Sequence, residues 1–103
     1  MFWLKDYASL LEKFEYLQFK LTDPDLNEQE KQDTENQLQF CVERKARFEQ
    51  LVSKFESLEQ KILHRKYVEG KTLESIANEL EYSANYIYNK HSEILKILRF
   101  YEK

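Results

Sequence analysis

Apolar residues return along this chain at intervals of three and four. Tyr7, Leu10, Phe14, Leu17 and Leu21 form one such stripe, widened by Leu4 and Leu11. That is the spacing of an amphipathic helix with a heptad-like seam. Thr22-Asp23-Pro24-Asp25 predicts its end, because the residue before a proline is pushed out of the helical region. Pro24 and the acids from Asp25 to Glu28 then predict the start of a second helix. The stretch from Asn27 to Gln37 is polar throughout and reads as an exposed connector, either helical or partly mobile. Periodicity resumes with Leu38, Cys41, Val42, Phe48, Leu51, Val52 and Phe55, and Lys45 interrupts it where an apolar residue is due. Two helices with matching seams predict an antiparallel, coiled-coil-like hairpin over residues 1–56. The hairpin would leave Phe2, Trp3, Phe19 and Phe40 to be covered. A homodimer through these N-terminal helices, or packing on the rest of the chain, would do so.

Residues 57–103 predict three shorter helices, giving an all-α fold overall. Ser57-Leu58-Glu59-Gln60 fits a capping box, with Leu58, Ile62, Leu63 and Tyr67 as the buried face that follows. Gly70, the only glycine, stands where a left-handed residue should stop that helix. Thr72 can cap the next, with Glu74 favourably placed in its first turn and Leu73, Ile76, Ala77 and Leu80 facing inward. Ala77 is small where two helices need to approach closely. After a turn at Glu81-Tyr82-Ser83, Ser83 can cap a last helix that buries Ile87, His91, Ile94, Leu95 and Leu98. The layout is that of a helix-turn-helix, whose second helix enters the DNA major groove.

Composition fits helices better than disorder: 42% of residues are hydrophobic and 34% charged, with one Gly and one Pro. No apolar run nears the roughly 20 residues of a membrane span. The first residues carry Lys5 and Asp6 and make a poor signal peptide. A single cysteine, Cys41, fits a reducing cytoplasm and reads as a small buried hydrophobe. The net charge of −3 is low for a nucleic-acid binder. It is unevenly spread, however. Acids outnumber bases over residues 1–57, whereas from Tyr82 onward Lys90, Lys96, Arg99 and Lys103 face only Glu93 and Glu102.

The candidate DNA contacts follow from the last two helices. Thr72 and Ser83 open them, and free N–H groups at a helix start attract phosphate. Asn85, Tyr86, Tyr88 and Asn89 point outward near the start of the second, and Lys90 and Lys96 lie further along it. Asn pairs with adenine in bidentate fashion, Tyr contacts thymine methyls or phosphates, and Lys reaches phosphates. His64 and His91 are far apart in sequence with no companion Cys, so no zinc site is expected. Nothing resembles a nucleophile motif or a phosphate loop, so neither an enzyme nor a cofactor is expected. Arg44, Lys45 and Arg47 form the densest basic cluster and read as surface residues facing Glu43 and Glu49.

Leu58 to Arg99 resembles region 4 of bacterial sigma factors and the small phage regulators built on it, such as the RinA and ArpU types of late-gene activator. The matching segments are LEQKILHRKYVEG, TLESIANELEYS and YIYNKHSEILKILR. The resemblance implies an all-helical fold, double-stranded DNA bound through the helix opening at Ser83, and action on transcription beside RNA polymerase. It makes Asn85, Tyr86, Tyr88 and Asn89 the DNA-facing residues. Ala84, Tyr86 and Tyr88 stand where the family usually carries arginines, which points to A/T-rich sites, and Glu81 stands where it often has glycine. The first 57 residues do not match a polymerase-binding sigma domain. Two other classes remain open from sequence: a DNA-packaging or replication accessory protein, and a protein-binding adaptor or inhibitor that does not bind DNA.

Overall fold

The computed structural model describes residues 2–101 and is all-helical, with no strand among them. Met1, Glu102 and Lys103 and the side chain of Phe2 lie outside the description. A short α1 (Phe2–Lys5) leads into α2 (Tyr7–Lys20) through a bend at Asp6, where the Asp6 N–H turns back to the Trp3 carbonyl at 3.1 Å. The long α3 (Glu28–Val52) returns along α2. Their direction is antiparallel: Tyr7 stacks on Phe48 at 4.2 Å, and Phe14 lies under the Lys45 ammonium at 5.7 Å. Tyr7, Leu17, Thr34, Cys41, Phe48 and Leu51 are buried in or beside this pairing. Lys45, the break in the seam, uses its stem and charge against Phe14 and reaches Glu49 at 3.7 Å.

One local expectation fails here. Pro24 does not open α3. It sits in the turn, where its missing N–H costs nothing, and Asn27 is the cap, accepting from the Glu30 N–H at 2.8 Å. The polar stretch after it takes the helical of its two readings and forms the first ten residues of α3. Glu, Gln and Lys are good helix formers. Side-chain bonds one turn apart, Gln29 to Asp33 at 2.9 Å and Gln32 to Asn36 at 3.0 Å, reinforce them.

After a turn at Ser53–Glu56, α4 (Ser57–Leu63) begins one residue away from where a capping box requires. Glu56 is the cap position and makes no side-chain cap bond; Gln60 Nε2 instead donates to the Phe55 carbonyl at 2.9 Å. The helix continues into one wide π-helical turn, His64–Val68. Gly70 then closes it at φ +73°, and the Lys71 N–H bonds the Arg65 carbonyl at 2.9 Å, one residue wider than a Schellman closure of an α-helix. The last helices are α5 (Leu73–Leu80) and α6 (Ala84–Tyr101), packed on each other.

The expected boundary between residues 56 and 57 falls where the α3–α4 turn gives way to α4, and the core runs across it. Leu4, Tyr7, Phe48 and Leu51 belong to the same buried cluster as Ile62, Leu63, Tyr67, Ile76, Ala77, Ile87, Ile94 and Leu98. The far end of the hairpin extends from this cluster in a molecule 53 Å long and 19 Å thick. No helix among the described residues is long and apolar enough to cross a membrane.

Candidate nucleic-acid interface

Three caps define the α5–turn–α6 unit. Thr72 Oγ1 accepts from the Ser75 N–H at 3.1 Å, and Ser83 Oγ accepts from the Tyr86 N–H at 3.1 Å. Between them Glu81 adopts a left-handed conformation, φ +62°, and the Tyr82 N–H bonds back to the Ala77 carbonyl at 3.0 Å. This is the closure a glycine usually provides, achieved by a residue that strains to reach it. Leu73 and Leu80 are half-buried and Ile76 and Ala77 fully so, which fixes α5 against the core.

Ile87, Ile94 and Leu98 are at most 1% exposed, so the opposite face of α6 must look outward. Asn85, Asn89 and Lys96 lie on one outward line, together with Ser92, which the sequence reading missed although it follows Asn89 by three residues. Tyr86 and Tyr88 flank the line on either side, both exposed. Thr72 and Ser83 are exposed as well, each with its hydroxyl occupied as a cap acceptor.

The two tyrosines are less free than expected. Tyr86 stacks on Tyr82 at 4.9 Å with planes 17° apart, and the Lys90 ammonium lies 5.8 Å from the Tyr86 ring. Tyr88 donates its hydroxyl proton to the Glu74 carboxylate on α5. Lys90 is half-buried and within 3.9 Å of Glu93, so of the two expected phosphate contacts only Lys96 is fully exposed. The Tyr82 and Glu74 partnerships depend on how α5 meets α6, which a linear sequence does not display.

Behind this face α6 is pinned to the π-helical turn. Tyr67 Oη and His91 Nε2 are 2.6 Å apart, and their rings stack at 5.8 Å. Burial pushes the Tyr67 phenol up to about 12, so it keeps its proton. Burial, assisted by the Lys66 charge, holds His91 below its ordinary value and favours the neutral ring, whose tautomer sets which of the two donates. Nearby, Lys71 bridges Glu79 at 2.6 Å and Glu69 at 3.1 Å, with Arg65 also on Glu79 at 3.2 Å. These bonds raise the Lys71 ammonium's pKa and lower that of the Glu79 carboxyl. His64 lies 3.3 Å from Glu69. Among the described residues no three His, Cys, Asp or Glu side chains are grouped to hold a metal ion.

No family model matches the chain, and neither a curated protein nor a solved structure matches it.

Proposed function

We propose that this protein is a DNA-binding transcriptional regulator of the phage type, reading double-stranded DNA with α6. The observation that carries the reading is the division of α6. One side is sealed in the core by Ile87, Ile94 and Leu98, and the other presents Asn85, Asn89 and Lys96 in line behind a capped N-terminus. Amides suit adenine edges, and exposed tyrosines suit thymine methyls. With few free cations on this face, phosphate contacts contribute little. Affinity then depends on pairing two copies through the N-terminal helices, or on a partner such as RNA polymerase at the promoter. Action is in the cytoplasm, where such DNA is found.

Fluorescence anisotropy at low salt, on random and on A/T-rich duplexes, tests the reading. The expected result is salt-sensitive binding that favours A/T-rich duplexes, with Asn89→Ala weakening the preferred site by about 1–3 kcal/mol. No salt-sensitive association with any duplex would reject it.

A further inference from the structure

Beside the seam that packs on α2, α3 carries a second one. Glu30, Asp33, Gln37, Phe40, Arg44 and Arg47 follow each other at alternating steps of three and four residues, so they form one line along the helix. The first four are exposed, Phe40 by 53%, and the two arginines are half-buried. The chemistry along the line is ordered: two acids, an amide, an aromatic ring, two guanidiniums. Read in reverse on a second helix, this order is its own complement.

We propose that two copies of the chain pair through this line, α3 against α3, antiparallel about a two-fold axis. The inference rests on the homodimer proposed above and gives it a face and a register. Asp33 then meets Arg44 of the second copy, Glu30 meets Arg47, Gln37 lies beside Phe40, and the two Phe40 rings flank the axis. A parallel pair would set acid on acid and guanidinium on guanidinium. Charge complementarity therefore selects both the occupant and its direction.

The central pair is available within each chain. Asp33 takes a hydrogen bond from Gln29 at 2.9 Å and has no cationic partner among the described residues. Arg44 makes no ion pair among the described residues. Its guanidinium lies 5.0 Å from the Trp3 ring centroid and 5.2 Å from that of Phe40. Stacking of this kind holds the planar group in place while its in-plane N–H donors remain open to a carboxylate. Arg47 already reaches Gln50 and the Tyr101 carbonyl, so the pairing of Asp33 with Arg44 is the one to test. A seam built from charges around one aromatic ring makes a weak, salt-sensitive dimer.

Sedimentation equilibrium of the full chain without DNA, at about 0.05 M and about 0.5 M salt, reads this directly. The expected result is a concentration-dependent dimer that weakens at the higher salt. Asp33→Arg surrounds the axis with guanidiniums and Arg44→Asp surrounds it with carboxylates. Each weakens the dimer by about tenfold or more. An equimolar mixture of the two variants recovers dimer, because each chain supplies the sign the other lacks; a folding defect would not be cured by mixing. A mixture no tighter than either variant alone overturns the antiparallel register. A dimer indifferent to both substitutions overturns this face while leaving a homodimer standing, and a chain monomeric throughout overturns both. Duplex binding by the same samples separately tests the DNA reading.

Discussion

His91 shows how one buried group ties stability to pH. In the folded chain its ring shares a hydrogen bond with Tyr67 and is held by burial below its ordinary value of 6.5, so the folded state resists taking a proton that the unfolded chain accepts readily. Stability contributed here is complete above about pH 6.5, falls as pH drops below that, and levels off once pH passes the lowered folded value. Urea midpoints measured from about pH 8 to about pH 5 should decline across that window. His91→Gln, which keeps a hydrogen-bond partner for Tyr67 but cannot titrate, should flatten the decline. An unchanged profile would show that His91 is not its source. Glu79, lowered by Lys71, acts in a separate window: its contribution is present above its ordinary 4.5 and lost only as pH falls below it.

Among the helices, α5 is the element on which the presentation of α6 depends, and Ala77 is the small residue on its buried face. It is 3% exposed within the core, and α6 is the main element α5 packs against. Ala77→Leu adds three carbons where none fit. The expected outcome is a loss of about 1–3 kcal/mol in urea unfolding and weaker duplex binding as α5 and α6 separate. Undiminished duplex affinity in a destabilised variant would show that α6 alone carries the contacts. The ends of these helices were legible because their signals are local. Thr72, Ser83 and Gly70 each act within three residues of where they stand. For the first ten residues of α3 the sequence leaves helix and mobile connector both open, since they are polar on every face and their helix rests on propensity and side-chain bonds rather than a buried stripe. The π-helical turn escaped for another reason: a single wide turn leaves the spacing of Leu58, Ile62, Leu63 and Tyr67 close to that of an ordinary α-helical face. Of the candidate contacts, the outward line on α6 followed from periodicity, but the attachment of Tyr88 to Glu74 needed the angle between two helices.

At the scale of the molecule, the hairpin and the α5–α6 unit share one core instead of meeting at a linker. Phe48 makes this concrete. It is 5% exposed, stacks on Tyr7 from α2, and belongs to the cluster that contains Ile62, Ile87 and Leu98. Phe48→Ala removes a ring from the middle of that cluster and should cost about 3–5 kcal/mol, a large share of the roughly 5–15 kcal/mol typical of a domain. Because the cluster is continuous, the loss should not stay in the hairpin. Hydrogen exchange of the α5 and α6 amides should quicken together with that of α2 and α3, and Trp3 fluorescence and far-UV circular dichroism should report one coincident urea transition. If α5 and α6 kept their protection while the hairpin lost its own, the two halves would be separate folding units, and pairing through α3 would leave the face proposed to read DNA mechanically uncoupled. A single transition makes the opposite connection: whatever fixes α3, including a second copy of the chain, also steadies the helix that presents Asn85 and Asn89.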